Sequence, residues 1–308
     1  MRCLFIPLFA MLISPGFAED PIPKRLQEHV KQLKSDKAEE RVSALAGIAQ
    51  FGAGAARVMP AIKTALKDKD SNVRSHALYV FKLMGGKAIP ALKEITAALK
   101  DKDSEVRCIA ADVIGTLGQR AKDSIGELAN AINDEESGPH AIAALEAMGS
   151  LARPAIPQLK KALSNEELCS YAARALGKLG ALEELRAGSK SKNEEIRIES
   201  YIGMKWIGEK AVSDLIRGLS DESEEVRLNV IELVGRFKEE GKAAVPALIK
   251  LLTDENEAIR FHAVKALTNI GPDAKAAIPA LKKAFDDKNA QVRTAARLAL
   301  EIIQPKQK

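Results

Sequence analysis

Residues 89–107 read Ile-Pro-Ala-Leu-Lys-Glu-Ile-Thr-Ala-Ala-Leu-Lys-Asp-Lys-Asp-Ser-Glu-Val-Arg, and variants of this stretch recur along the chain. The same order of residues (a proline, an apolar stripe, an aspartate-rich link and then valine or isoleucine before arginine) returns at residues 58–74, 245–260 and 278–293. Consecutive copies are offset by about 33 residues. A repeat of this length predicts an array of stacked supersecondary units.

Each copy predicts two helices joined by a short polar link. The proline stands where the first turn of a helix tolerates its missing N–H, and the apolar stripe after it has the period of a helix face. The second helix starts near the arginine and ends at a glycine, which suits a left-handed C-terminal cap. The arginine positions are Arg41, Arg74, Arg107, Arg197, Arg227, Arg260 and Arg293, and the glycines that follow most of them by eleven residues are Gly52, Gly85, Gly118, Gly208 and Gly271.

About nine such repeats fit between Lys24 and Ile303. No stretch of useful length alternates apolar and polar residues with period two, so no sheet is predicted. A helix pair of this size cannot bury its apolar faces alone and must stack on its neighbours. The sequence therefore predicts an all-α fold, an α-solenoid of about nine helix pairs.

Composition favours a soluble helical protein. The 308 residues include 47 Lys and Arg against 42 Asp and Glu, a net charge of +5, with 46% hydrophobic but only 4% aromatic residues. Charges of both signs are interleaved, without the basic stripe that nucleic-acid binding requires, so we expect no nucleic-acid partner. Three cysteines are too few for a disulfide-rich scaffold.

The first eighteen residues have the pattern of a secretory signal peptide. One positive charge at Arg2 precedes an apolar run over residues 3–13, and small residues stand at Gly16 and Ala18. We expect cleavage near Ala18 and export to a periplasm or outside the cell. The apolar run is too short to span a bilayer. The domain prediction is a signal peptide over residues 1–18 and a single solenoid over 19–308.

The repeated Pro-Ala-Leu, Asp, Val-Arg and Gly pattern resembles HEAT repeats, and among them the type found in bilin lyases (PBS lyase HEAT-like). The resemblance covers essentially all of the chain after residue 18 and implies an armadillo-like α-solenoid. It also implies that an aspartate six residues before the arginine pairs with arginines of neighbouring repeats as a ladder. Residues with that spacing are Asp68 and Arg74, Asp101 and Arg107, Asp221 and Arg227, Asp254 and Arg260, and Asp287 and Arg293.

The pattern is irregular between about residues 121 and 209. Gly138 and Cys169 stand at the arginine position of the fourth and fifth repeats, and the link between helices is two residues shorter in both. In the sixth repeat the first helix is predicted to shrink to about residues 181–187. Two interpretations remain open: the irregular repeats form a hinge or binding notch, or they reflect drift in a tolerant array.

No set of residues predicts catalysis. The four histidines are His29, His76, His140 and His262, which belong to separate repeats, and none is followed by glutamate. The resemblance offers an enzymatic alternative, because deoxyhypusine hydroxylase carries its di-iron site on His-Glu pairs of a HEAT solenoid and bilin lyase subunits handle a pigment. We predict no catalytic residue, metal or cofactor. Cys108 and Cys169 fall in different repeats and are expected to remain separate thiols.

The second helices of a solenoid commonly line its concave side, so their exposed positions are candidates for partner binding. In the fifth to eighth repeats these positions are mostly basic and hold the only tryptophan; the candidate residues are Tyr171, Arg174, Lys178, Ile202, Lys205, Trp206, Arg236 and Lys265. Arginine, tyrosine and tryptophan are the residues that most often anchor interfaces. The competing interpretation packs Trp206 into the irregular sixth repeat and leaves the lysines as solvated side chains.

Two functional hypotheses follow. The first is a non-enzymatic, monomeric scaffold or recognition module of the cell envelope that binds an acidic partner protein along its concave face. The second is an enzyme or accessory subunit of the bilin-lyase or hydroxylase kind, which would carry bound iron or a chromophore.

Overall fold

A computed structural model describes residues 22–304, which form eighteen α-helices in nine consecutive pairs and no β-strand. We call each pair a repeat. The all-α solenoid expected from the sequence is confirmed. The predicted signal peptide lies outside the described residues. Among the described helices, none combines the length and the apolar character needed to cross a membrane.

The helices are numbered in chain order, so that odd numbers are the first helices of the repeats and even numbers the second. The first helices are α1 Lys24–Gln32, α3 Met59–Ala65, α5 Leu92–Ala97, α7 Ile125–Ala131, α9 Ile156–Ala162, α11 Leu182–Gly188, α13 Val212–Gly218, α15 Val245–Leu251 and α17 Ile278–Lys283. The second helices are α2 Ala38–Ala49, α4 Ser71–Met84, α6 Ser104–Leu117, α8 Gly138–Ala147, α10 Cys169–Lys178, α12 Glu194–Met204, α14 Glu224–Arg236, α16 Glu257–Ile270 and α18 Ala290–Ile303.

A short 3-10 segment, which the helix-pair prediction did not include, separates most repeats. These segments are Gly52–Val58, Gly85–Ala91, Gly118–Ser124, Gly149–Ala155, Gly208–Ala211, Lys238–Ala244 and Gly271–Ala277, and two shorter ones, Ala98–Lys100 and Ala284–Asp286, end the first helices of repeats 3 and 9. Five repeats carry a proline at the start of the predicted first helix. Four of these prolines stand in the first turn as expected: Pro60, Pro157, Pro246 and Pro279. Pro90 instead lies inside a 3-10 segment.

The glycine that ends a second helix has a positive φ but is not in the expected left-handed helical region. Gly85 combines φ 52° with ψ −134°, a mirror image of the β region that glycine alone adopts readily. In repeat 7 the same position is occupied by Lys238, which takes φ 47°. A side chain at positive φ is strained, so repeat 7 carries a backbone strain that the glycine-ended repeats avoid.

Six of the nine described second helices start at a polar side-chain cap, whereas α2, α8 and α10 do not. The side chains that accept hydrogen bonds from the first-turn N–H groups are Asp70, Asp103, Asn193, Ser223, Asn256 and Asn289. In repeats 4 and 5, α8 and α10 have no side-chain cap and only ten residues each. The two missing residues anticipated from the sequence therefore shorten the start of the second helix. A short uncapped helix depends more heavily on tertiary packing.

The guanidinium group of Arg74 joins two neighbouring repeats. Its Nε and Nη2 atoms donate to the carboxylate of Asp101 in the next repeat at 2.7 and 2.6 Å, while Nη1 donates to the main-chain carbonyl oxygens of Asp68 and Lys69 at 2.9 and 3.3 Å. The side chain of Arg74 thus pairs with the following repeat, and its contact to the aspartate of its own repeat is through the main chain.

The same arrangement recurs along the array and forms the ladder that the resemblance implies. Its bidentate rungs are Arg41–Asp68, Arg74–Asp101, Arg197–Asp221 and Arg260–Asp287, and its looser rungs are Arg107–Asp134 and Arg227–Asp254. Within residues 22–304, Arg293 makes only the two main-chain bonds, to Asp287 and Lys288. No arginine occupies the rung position in repeats 4 and 5, so the described ladder is interrupted between Asp134 and Arg197.

The pKa of four ladder carboxyls, Asp68, Asp101, Asp134 and Asp287, lies below its ordinary value. Burial acts to raise the pKa of Asp101, but the hydrogen bonds from Arg74 and from the N–H of Asp103, together with the charge of Arg74, outweigh it. The pKa of Asp101 therefore lies below its ordinary value. A carboxyl with a lowered pKa stabilises the fold above its unfolded pKa, and this contribution is lost as the pH falls through the folded value.

Repeat 6 differs from its neighbours by the absence of a 3-10 segment. The first helix α11 has seven residues, the same length as α3, α7 and α9. The predicted bounds of about 181–187 are confirmed to within one residue, but the helix is not shorter than those first helices. What is missing is the segment before it, because α11 follows Gly180 after a single residue.

Neighbouring second helices approach each other closely. A Cβ atom added to Gly177 in α10 would overlap the carbonyl oxygen of Gly203 in α12, and one added to Gly235 in α14 would lie 3.1 Å from the Cα of Ala266 in α16. The first helices, in contrast, are joined to the preceding repeat through the 3-10 segments. Because elements on the inner side of a curved stack lie closest together, we infer that the second helices line the inner face.

Replacing Arg74 with alanine is expected to lower the free energy of unfolding by about 3 kcal/mol, because it leaves the poorly exposed carboxylate of Asp101 without its guanidinium partner. Chemical denaturation followed by circular dichroism measures this change. Arg236→Ala is the control, since Arg236 pairs with Glu232 on the exposed surface of one helix, and its removal should cost less than about 1 kcal/mol. Equal losses in the two variants would show that the ladder does not stabilise the array.

Candidate protein-interaction surface

Five of the eight candidate residues come together where repeats 5 and 6 meet. Tyr171, Arg174 and Lys178 lie on α10, while Lys205 and Trp206 follow directly after the end of α12. We call these five residues the central cluster. The sequence analysis counted Trp206 as part of a helix, but α12 ends at Met204 and Trp206 lies in the turn that follows.

Trp206 is the centre of this cluster. Its side chain is 47% exposed, and the Nζ atoms of Lys178 and Lys205 lie 5.0 and 5.1 Å from the centre of its ring. Both distances are within the range of a cation–π attraction. The interpretation that packs Trp206 into the sixth repeat therefore does not describe the structure, in which the indole ring is exposed and has two ammonium groups close to it.

Glu146 on α8 fixes the basic side chains of α10. Its poorly exposed carboxylate accepts hydrogen bonds from Arg174 Nε at 2.8 Å and from Lys178 Nζ at 2.7 Å. The guanidinium carbon of Arg174 also lies 5.7 Å from the ring centre of Tyr171. The two terminal amino groups of Arg174 make no hydrogen bond with the described residues, so they are available to a carboxylate of a partner.

The other three candidate residues do not belong to this cluster. Ile202 is half-buried and packs against the core. Arg236 and Lys265 line a separate cavity of about 290 Å³ between α14 and α16, together with His262 and Glu232. The structure therefore divides the predicted set into a central cluster and a smaller basic site further along the array.

The second helices of repeats 2 to 4 neutralise their own charges. The carboxylate of Asp112 accepts hydrogen bonds from Lys82 Nζ at 3.0 Å and from His140 Nδ1 at 2.8 Å. Burial acts to raise the pKa of Asp112, yet these hydrogen bonds and the charge of Lys82 lower it overall. This part of the face has no unpaired cation comparable to Lys205, so the basic character is confined to the later repeats.

Glu199 is a residue that the sequence analysis missed. It lies half-buried on α12, at the repeat position that Tyr171 occupies on α10. Burial, and secondarily the charge of Glu195, raises the pKa of Glu199 above its ordinary value. Its position in the sequence could have identified it. Glu199 stands two residues after Arg197, a position that belongs to the exposed face on which the basic and aromatic candidate residues were sought.

The described residues show no arrangement suited to a metal or to a cysteine nucleophile. No group of three or more His, Cys, Asp or Glu side chains within residues 22–304 could hold a metal ion. Cys108 and Cys169 are free, half-buried and buried respectively, and burial raises the pKa of both thiols. Neutral thiols are poor nucleophiles.

Glu199→Gln is expected to raise the midpoint of thermal unfolding at pH 7 but not at pH 4. A carboxyl whose folded pKa is raised stabilises the protein below its unfolded pKa, about 4.3, and this stability is lost as the pH rises through the folded value. Glutamine avoids the loss. Thermal unfolding at the two pH values measures it, with Glu209→Gln at an exposed position as the control. A gain of the same size at both pH values would contradict the assignment.

Comparison with known proteins gives the fold and part of the family relationship. Residues 212–301 match the family model described as HEAT repeats. No curated protein matches the chain significantly. Among solved structures, the chain is similar to the karyopherin Kap121p bound to the SUMO protease Ulp1p (14% identity, TM-score 0.69, covering 90% of this chain and 37% of that one) and to Kap121p bound to Nup53p (15% identity, TM-score 0.65, covering 90% and 37%).

The chain spans little more than a third of Kap121p, and identities near 15% carry information on the fold alone. Within that limit, the family model and the structural neighbours agree with the nine stacked helix pairs and with the recurring pattern of the sequence. Residues 22–304 therefore form an all-α solenoid, and residues 212–301 within it are similar to HEAT repeats.

Proposed function

We propose that this chain is a non-enzymatic scaffold that recognises another protein through the central cluster. The observation that carries the proposal is the exposed Trp206, whose ring centre lies about 5 Å from the Nζ atoms of both Lys178 and Lys205. Exposed tryptophan, tyrosine and arginine side chains dominate the energy of protein interfaces. A HEAT solenoid provides the extended surface on which such residues can be placed.

The chemistry of the cluster favours an acidic partner. Arg174, Lys178 and Lys205 supply three cations, and Glu146 is the carboxylate that pairs with two of them. Lys205 makes no ion pair with the described residues, and the terminal amino groups of Arg174 are unpaired. A carboxylate-rich segment carrying an aromatic side chain would match both the charge and the stacking surface.

The proposed location is the cell envelope, with the protein acting as a monomer. This part of the proposal rests on the pattern of residues 1–18, a short apolar run behind one positive charge and before small residues. The proposed assignment of the repeats to the PBS lyase type is based on their sequence pattern. The alternative function, an enzyme or accessory subunit with iron or a chromophore, has no supporting group of side chains within residues 22–304.

The double substitution Trp206→Ala with Arg174→Ala is expected to abolish partner binding and to leave the fold intact, because Trp206 is exposed and Arg174 is half-exposed. The protein is crosslinked and purified from its native compartment, and mass spectrometry of the sample identifies the partner. Metal is measured on the same sample. Binding of that partner to the unsubstituted protein and to the variants is then compared by co-purification, because the double variant lacks Trp206, the only tryptophan in the chain.

Tyr79→Ala is the matched control, since Tyr79 is an exposed aromatic residue on α4, on the same face of the array. It should retain the partner. The proposal would be contradicted by equal recovery of the partner with the double variant. Stoichiometric iron or a chromophore without a protein partner would support the enzymatic alternative instead.

A further inference from the structure

A second surface feature lies in repeats 8 and 9, between α16 and α18. It is an open groove of about 570 Å³ whose walls include Phe261, Ala295 and Leu298. Leu298 is 55% exposed, so its side chain is available for burial by a ligand. The groove has the size of sites that enclose a large side chain or a small molecule.

The threonines of this groove contribute apolar surface. Thr268 Oγ1 donates to the carbonyl oxygen of Val264 at 2.7 Å, and Thr294 Oγ1 donates to that of Ala290 at 3.0 Å. Because each hydroxyl group is bonded within its own helix, the methyl groups are what the two side chains offer to a ligand. The floor and walls of the groove are therefore more apolar than its sequence indicates.

The groove is also lined by one ammonium group and two side-chain amides that have no hydrogen-bond or ion-pair partner among the described residues. Lys265 is the charged residue among those lining the groove; its Nζ lies 5.6 Å from the ring centre of Phe261 and makes no ion pair with the described residues. The side-chain amides of Asn269 and Gln291 also line the groove and make no hydrogen bond with the described residues. An amide donates and accepts, as a peptide group does.

We propose that this groove binds an extended peptide segment in which a large apolar side chain stands next to a carboxylate. The apolar side chain would be buried against Phe261 and Leu298, the carboxylate would pair with Lys265, and the main chain would bond to the amides of Asn269 and Gln291. Charge complementarity selects this occupant, because the lining contains a cation and no anion. The inference shares with the proposed function the assumption of a protein partner, but it does not require the central cluster.

The test uses the purified protein and two probe peptides. One is a capped glycine–serine peptide carrying a phenylalanine flanked by aspartates, and in the other lysines replace the aspartates. Methyl NMR of Leu298 reports on the groove, while the fluorescence of Trp206 reports separately on the central cluster. We expect the acidic peptide to shift the Leu298 methyl resonances and the basic peptide to leave them unchanged.

Substitutions then locate the binding site. Leu298→Gln, at an exposed position that does not support the core, should raise the dissociation constant of the acidic peptide about tenfold through lost apolar burial; the resonances of Ala295 replace those of Leu298 as the readout in this variant. Leu83→Gln is the matched control, since Leu83 is an exposed leucine on α4, and it should leave the affinity unchanged. Lys265→Gln should remove the preference for the acidic over the basic peptide.

Several results would overturn the inference. These are the absence of any shift at Leu298, equal shifts with both peptides, or equal affinities of the Leu298→Gln and Leu83→Gln variants. Binding of dodecanoate in the groove without binding of the peptide would assign it to a lipid anion instead. A response of Trp206 without one at Leu298 would support the central cluster and refute the groove, so the two proposals fail separately.

Discussion

The bidentate pairing of an arginine with the aspartate of the next repeat is the interaction on which the array depends. In Arg74 one guanidinium group binds the Asp101 carboxylate and two main-chain carbonyl oxygens of its own interhelical link. It therefore fixes the link within one repeat and the distance to the following one. Hydrophobic burial supplies most of the stability of such an array, but it is non-directional. The paired charges, which are poorly exposed and bidentate in the rungs of Arg41, Arg74, Arg197 and Arg260, set the register in which the apolar faces stack.

The interruption of the ladder coincides with the candidate binding surface. Repeats 4 and 5 have Gly138 and Cys169 where an arginine would stand, and their second helices are short and uncapped. Contacts on the inner face join the same repeats: Glu146 binds Arg174 and Lys178, and Gly177 allows α12 to approach α10. Interactions that hold the middle of the array together therefore also order the side chains that we propose bind a partner.

The fold could be predicted from the sequence because the same pattern recurs about nine times. The regular copies make the irregular ones recognisable as helix pairs. The pairing of Arg74 with Asp101 of the next repeat was expected from the resemblance to HEAT repeats. Sequence spacing alone does not show whether the side chain of Arg74 pairs with Asp68 of its own repeat or with Asp101 of the next one. The 3-10 segments escaped prediction because their glycine- and alanine-rich residues carry no periodic signal. At the site, the sequence pattern extends the helix two residues beyond Met204, where α12 ends. The exposure of Trp206 in a turn, and its contacts with both Lys178 and Lys205, therefore required the structure.

We propose that the inner face of this array, ordered by arginine–aspartate pairs, binds a partner at repeats 5 and 6. Hydrogen–deuterium exchange of the protein with and without its crosslinked partner tests this most directly, because exchange slows where a partner stabilises a helix or covers a turn. The account predicts protection in α10, in α12 and in the turn containing Trp206, with the first helices α9 and α11 little changed. Protection confined to the first helices, or to repeats outside the ladder interruption, would contradict it.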